Sequence, residues 1–288
     1  MSIDQVFIIK KLQDLDIMYV AYSQATRMPF ATCDKETFND QAWIFSDEKT
    51  IQEFAKEYTE KKIPLMGVKV PRDQAPTFYM NLYSMGINEI IFSTDGQSFT
   101  LPLTQIVKIP DYNKIPVQKR PLINQSLQMS VVYFLQELRR PGLKEVDKKH
   151  LRELEEEVSA NLAKSEFIMP VDINEEKDVK DPKRYLLPYL KNKEGKCYQP
   201  VFSDTSELLK HSSRFKEDGK KHEFMKLKFK QLVSYMVPSS DGFMLNPDGY
   251  ALALNKEQMD IIIKYYCKPD KKSKNELKKD VKEDKTEE

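Results

Sequence analysis

An α+β fold built from two related mixed-sheet modules, the second preceded by a helical pair, is what this sequence of 288 residues predicts. The first reason is a short pattern that occurs twice in the same order. One copy reads Trp43-Ile44-Phe45-Ser46-Asp47, then Ile90-Ile91-Phe92-Ser93-Thr94-Asp95-Gly96. The other reads Pro200-Val201-Phe202-Ser203-Asp204, then Phe243-Met244-Leu245-Asn246-Pro247-Asp248-Gly249. The second reason is that strand-like and helix-like apolar spacing alternates in matching order around both copies. The length agrees, since it allows about two domains of ordinary size.

In the first half, residues 1–110, Val6, Ile9, Leu12 and Leu15 stand at helical spacing ahead of a strand over 17–22. A strand over 41–45 leads to Asp47, which opens a helix with Ile51, Phe54 and Tyr58 on one face. A strand over 63–70, a helix over 77–85 and a hairpin of 87–92 with 99–103 complete the module. In the second half the order recurs: strands over 184–190 and 198–202, a helix over 204–211, a strand over 225–229 and a short helix over 231–237. Strands over 243–245 and 250–254 then pair across a turn, and a helix over 256–266 closes the module.

Between the halves, the Pro-punctuated residues 111–121 read as a linker. Leu127, Val131, Leu135 and Leu138, then Leu151, Leu154, Val158 and Leu162, mark the helical pair, broken at Pro141-Gly142. The stripe is too short for the three to four heptads of a coiled coil, so the pair is expected to pack on its own sheet. It opens the second domain, 122–267, in which residues 167–171 form a strand and 172–181 an exposed connection. From residue 268 to 288 lysine and acidic residues replace apolar ones, and disorder is expected because too little surface can be buried to offset ordering entropy.

The repeated residues have local physical roles. Asp47 and Asp204 stand where a strand ends and a helix begins, as N-caps accepting from free backbone N–H groups. Glu207 has capping-box spacing from Asp204, and Thr50 holds that place in the first copy. Asn246-Pro247-Asp248-Gly249 is a turn: Pro sets φ, Asn accepts a backbone hydrogen bond and Gly takes the left-handed conformation. Phe202, Ser203, Asp204, Asn246, Pro247, Asp248 and Gly249 are thus read as structural caps and turns. Ser203, Asp204 and His211 could be taken for a nucleophile set, but capping accounts for the Ser-Asp pair and no glycine-flanked elbow surrounds the serine.

Other chemistry finds little support. His222-Glu223 starts like a zincin helix, yet Lys226 stands where the second histidine belongs. Cys33, Cys197 and Cys267 are odd in number and widely separated, which fits inert thiols in a reducing compartment. No catalytic residue, cofactor or metal is expected. Lys226, Lys228 and Lys230 alternate with Met225, Leu227 and Phe229, as in an amphipathic edge strand with solvated lysines. A net charge of +1 gives no field to draw nucleic acid or an anionic membrane. With no basic leader and no apolar run near the roughly 18 residues that span a bilayer, a cytoplasmic protein is expected.

The helical pair ending in residues 163–171, then Tyr185-Leu186-Leu187-Pro188-Tyr189, Pro200-Val201-Phe202-Ser203-Asp204, and Gly242-Phe243-Met244-Leu245-Asn246-Pro247 before a closing helix, resembles the SseB-type family. The resemblance covers about residues 122–267, and residues 1–110 look like a diverged copy without the helical pair and the Asn-Pro turn. The family takes its name from an enhanced-serine-sensitivity phenotype. The resemblance implies a soluble bacterial α+β domain with no established catalytic residues. The leading expectation is a non-enzymatic module that binds a protein partner; the alternative is a sensor of an amino acid or other small metabolite, bound between modules that the linker lets move.

Overall fold

The computed structural model of the chain describes residues 3–142, 148–174, 184–192, 194–217 and 222–267, and its fold is α+β. Helix α1 (Ile3–Gln13) precedes strand β1 (Ile17–Ser23). Its inner face is Ile8, Ile9 and Leu12; Val6, expected inside, is exposed beside Phe7. Next come β2 (Met28–Pro29), β3 (Ala31–Cys33), β4 (Asp40–Phe45), α2 (Glu48–Glu60) and β5 (Leu65–Pro71). The two short strands β2 and β3 escaped the sequence because two or three residues cannot display an alternation. A single 3-10 turn leads into α3 (Ala75–Met85), followed by β6 (Glu89–Thr94), β7 (Gln97–Pro102) and α4 (Leu103–Ile106).

β1 runs antiparallel to β5 on one side and to β4 on the other, β4 is parallel to β6, and β6 turns back into β7. The turn is Asp95-Gly96, both left-handed at φ 52° and 73°, the mirror-image geometry that matches strand twist. Alternation divides the sheet. Tyr19, Trp43 and Phe45 pack with Phe54 and Tyr58 of α2, whereas Val20, Ile44 and Phe92 face the main core.

The second half comprises α5 (Gln125–Leu138), α6 (Lys148–Lys164), β8 (Glu166–Asn174), β9 (Arg184–Leu186), β10 (Leu190–Lys191), β11 (Cys197–Val201) and α7 (Thr205–Glu217). It continues with β12 (His222–Lys228), α8 (Phe229–Leu232), β13 (Gly242–Leu245), β14 (Leu252–Leu254) and α9 (Lys256–Tyr266). β8 lies antiparallel between β12 and β9, and a bridge from Ile168 to Phe202 joins it to the end of β11. β11 is parallel to β13, which turns back into β14.

The two halves share strand sense and register. Tyr19 pairs with both Phe45 and Lys69; Ile168 pairs with both Phe202 and Lys226. Ile44 opposes Phe92 as Val201 opposes Leu245. Helices α2 and α7 have the same length, 13 residues, and strands β5 and β12 the same, 7 residues.

Several expectations are corrected. The strand expected over 184–190 is two short strands in different sheets, because Pro188 has no N–H to donate to a ladder. β12 begins at His222, and Phe229 starts α8 instead of ending the strand. The expected connection 172–181 begins inside β8, while residues 175–183 and the tail 268–288 lie outside the described residues.

The largest correction concerns the helical pair. Leu127 to Val132 are buried in an unbroken run, so α5 has no solvent face there, and Leu138, expected inside, is exposed. Gln128 and Ser130 are buried along with the apolar residues of this run, so the helix is covered all round there. α5 packs against α3 of the first half and α6 of the second, and one core runs through both halves. Residues 111–121 are likewise anchored: beyond them Leu122 and Thr205 exchange hydrogen bonds of 2.9 and 3.0 Å. Among the described residues, no helix is long and apolar enough to cross a membrane.

Candidate functional site

Helix α5 carries the polar residues that fasten the halves together. Gln136 exchanges two 3.1 Å hydrogen bonds with the backbone of Ala31, as a strand neighbour would. Tyr133 donates to Asp40 Oδ1 at 2.6 Å. The Arg139 guanidinium donates to Ala25 O in the first half and to Tyr250 O and Ala251 O in the second, at 2.9, 2.9 and 3.0 Å. Its burial disfavours the charged form, and three carbonyls compensate. Asn124, just before the helix, donates to Glu166 O at 2.8 Å and also to Ser203 O.

Beneath α5 lies a buried polar knot made by the two motifs of the second half. Asp204 caps α7 by accepting from Glu207 N at 3.0 Å, and its carboxylate also receives Ser203 Oγ at 2.8 Å, Ser206 Oγ at 2.6 Å and Gln128 Nε2. Asn246 reaches across: its Oδ1 accepts from Ser203 N at 2.9 Å and its Nδ2 donates to Ser203 Oγ at 2.7 Å. Motifs legible in the sequence only as a separate cap and turn are therefore bonded to each other. Ser203, Asp204 and Asn246 are fully buried, and leaving any of their donors or acceptors unmatched costs about 1–3 kcal/mol each.

The turn residues also act differently from expectation. Left-handed φ falls on Asn246 (51°) and Ala251 (49°), not on Gly249. What Gly249 supplies is clearance, since a Cβ there would stand 2.5 Å from Glu207 Oε2. Pro247 and Asp248 lie in the loop between β13 and β14, and Asp248 binds His211 Nδ1 and, at 2.8 Å, Arg214. His211 thus pairs with Asp248 and not with Ser203, and its ring packs on Phe202 and Phe215. Ser203 Oγ is committed to Asp204 and Asn246.

Glu207 is the main residue that sequence reasoning misplaced. Its side chain does not complete a capping box; Oε1 takes Lys210 Nζ, while Oε2 is buried with no hydrogen-bond partner among the described residues. Burial pushes its carboxyl above the ordinary glutamate range, partly opposed by Lys210. Gln128 Oε1 is likewise buried and unpartnered. Both residues line a cavity of about 220 Å³ between the halves, walled by Met28, Phe78, Leu82 and Met85 and edged by Arg27, Lys210 and Asp248. One signal for its α5 wall was available: residues 121–136 hold no charged side chain in a chain that is 32% charged.

A second concavity, an open groove of about 1050 Å³, runs between the 32–40 loop, α5 and α6. Asp34, Asp40, Glu137 and Glu157 line it against Lys35 and His150. Its rim carries Phe38, 77% exposed and held at φ 58°. Asp34 fixes that loop by accepting from Glu36 N, Thr37 N and Thr37 Oγ1 at 2.9, 2.8 and 3.0 Å, and these bonds hold its carboxyl below the usual range. Burial moves Asp40 the other way, with the Tyr133 bond opposing. Cys33, on the groove wall, is a free thiol that burial and the nearby Asp40 and Asp34 push upward. Such a thiol is a poor nucleophile.

Residues 143–260 match the family model of the SseB protein N-terminal domain. The matched range contains Ser203, Asp204 and Asn246 of the polar knot but begins after α5, which supplies Gln128. Among solved structures the chain is similar to Anabaena Tic22 (protein transport), at 12% identity over 93% of this chain and 100% of that one, with a TM-score of 0.20. It is similar to Tic22 from Plasmodium falciparum at 10% identity over 89% and 95% of the two chains, also with a TM-score of 0.20. No curated protein matches it.

Proposed function

We propose that this chain is a cytoplasmic, non-catalytic interaction protein of the SseB type, made of one bacterial module and a diverged copy of it, which binds a basic segment of a protein partner in the α5–α6 groove. The observation that carries the reading is Phe38. A bulky residue in the left-handed region is strained, and exposed aromatics fixed in place are what interface anchors are made of. The groove behind it has more acidic than basic side chains, which favours lysine or arginine in the partner. The common register of the two halves supports the duplication, and the engagement of Ser203 Oγ by Asp204 and Asn246 and of His211 Nδ1 by Asp248 supports a role outside catalysis.

Affinity purification at native expression, followed by mass spectrometry, tests this: a discrete partner is expected with the natural chain and lost with Phe38→Asp. Equal recovery by both chains, or recovery of the bait alone with and without crosslinking, overturns it. A second reading, a small metabolite bound between the halves, is favoured by one observation: a cavity of about 220 Å³ lined by residues of both halves, among them the buried polar residues Gln128 and Glu207. Because α5 bonds to both halves, such a ligand would act by stabilising the joint, without hinge motion in the linker.

A further inference from the structure

We propose that the lysine-rich stretch 268–279 of this same chain occupies the α5–α6 groove and keeps other basic segments out of it until a partner displaces it. This rests on the groove reading above and names the regulation of that site. The sequence after α9 is polarised in charge. Residues 268–279 carry six lysines against Asp270 and Glu276, whereas residues 280–288 carry five acidic residues against two lysines. The groove has the sign opposite to the first stretch. Glu137 is paired with Arg140, but Asp34, Asp40 and Glu157 make no ion pair among the described residues. Charges of one sign left without partners in a concave surface favour a segment of the other sign.

The point of departure of the stretch agrees with its charge. Cys267, the residue before it, has its Sγ 4.0 Å from Ala163 O near the C-terminal end of α6, and α9 packs against α6. The groove side of the same helix is His150, Leu154 and Glu157. Leu154 precedes Ala163 by nine residues, about 14 Å of helix. The ten residues from Cys267 to Leu277 span up to about 33 Å when extended, more than that rise together with a helix diameter of about 10 Å. The surface of α6 also exposes Glu153, Glu155 and Glu156, so lysines crossing it meet acidic side chains. In the groove, Phe38, Met129 and Leu154 offer apolar surface to Leu277 and to the lysine stems. A tethered segment acts at an effective concentration in the millimolar range, so modest charge pairing is enough to fill the groove, and an incoming segment must compete with it.

Cys33, an exposed free thiol on the groove wall, is a built-in reporter. In the full chain carrying Ser273→Cys, with Cys267→Ala to remove the thiol six residues away, oxidised glutathione is expected to link the introduced thiol to Cys33 of the same chain faster than to Cys197. The link should form several-fold more slowly at about 1 M salt, where charges are screened beyond ~3 Å. Equal rates to Cys33 and Cys197, or links between chains alone, overturn the proposal. A fluorescent peptide of residues 268–279 gives the second measurement. It is expected to bind the full chain carrying Lys271→Glu, Lys272→Glu and Lys274→Glu about tenfold more tightly than the natural chain, whose groove is already filled. Equal affinity for the two chains, lost with Phe38→Asp, overturns the self-occupancy and leaves the groove reading in place. Binding to neither chain, with partner recovery undiminished by Phe38→Asp, removes both.

Discussion

Asp47 and Asp204 occupy the same place in the two halves, yet they live in different physical worlds. Each follows Phe-Ser at the end of a strand and caps the next helix, Asp47 by accepting from Thr50 N at 2.8 Å and Asp204 from Glu207 N at 3.0 Å. Asp47 does this in solvent, with help from Thr50 Oγ1. Asp204 does it fully buried, with α5 bringing Gln128 to the same carboxylate. The hairpin motifs diverge in the same way. In the first half Ser46 N bonds to the backbone of Ser93, and Asp95-Gly96 is a tight exposed turn; in the second Ser203 N bonds to the side chain of Asn246, and the loop closes over Glu207. Phe54 and His211 each pack on the phenylalanine of their own motif, but His211 adds a hydrogen bond with Asp248. A local motif therefore sets the backbone, and what covers it decides whether its side chains cap a helix in water or organise a core.

The sharpest way to break this comparison is to remove both caps. Asp204→Ala deletes a cap and strands the donors of Gln128, Ser203 and Ser206 in the interior, so a loss of about 3–5 kcal/mol is expected in urea denaturation. Asp47→Ala should cost about 1 kcal/mol. Equal losses would mean that the burial of Asp204 has no energetic consequence.

The glycines provide a smaller contrast. Gly249→Ala drives a methyl to 2.5 Å from Glu207 Oε2 and should cost about 2–3 kcal/mol by overpacking. Gly96→Ala meets open space and bears only the left-handed penalty of about 1 kcal/mol. Pairing Gly249→Ala with Glu207→Ala should recover part of the loss if the clash is its cause.

The smallest effect is one of pH, and the two halves oppose each other in it. The Asp47 carboxyl is lowered in the fold, chiefly by the Thr50 N–H, so it adds stability that is present above the ordinary aspartate range and fades as pH falls through its folded value. The Glu207 carboxyl is raised by burial, so the folded state binds the extra proton, and stability falls as pH climbs from the ordinary glutamate range through the folded value. The stability of the natural chain relative to Glu207→Gln should therefore decline over that window, whereas its stability relative to Asp47→Asn should rise with pH from a lower starting point. Denaturant titrations across the acid range check both signs.

Most of the fold was legible because its signals are local. The apolar run of strand composition from Ile17 to Tyr22, the helical face of Ile51, Phe54 and Tyr58, and the Asp-Gly turn each depend on neighbours a few residues away. The candidate site was half legible. Asp204 was recognisable as a cap, but that Asn246 would bond Ser203 from 43 residues away was not. Glu207 was placed at a capping-box position on spacing alone, and spacing says nothing of Lys210 or of the Gly249 backbone beside it. Arg27 and Phe38 carried no sequence signal at all, because a left-handed backbone at a non-glycine residue is imposed by its surroundings and not by its own preference.

By itself the sequence determined the α+β class, most strand and helix positions, the order of elements in the two halves, and the identity of the caps. These follow from periodicity and from short-range hydrogen bonding, which any stretch of chain expresses on its own. Only the tertiary structure decided that α5 is shared between the halves, that the second copy of the motif is sealed beneath it, and that a cavity and a groove open on either side. Those outcomes depend on which surfaces exclude water from which polar groups, a property of distant segments brought together.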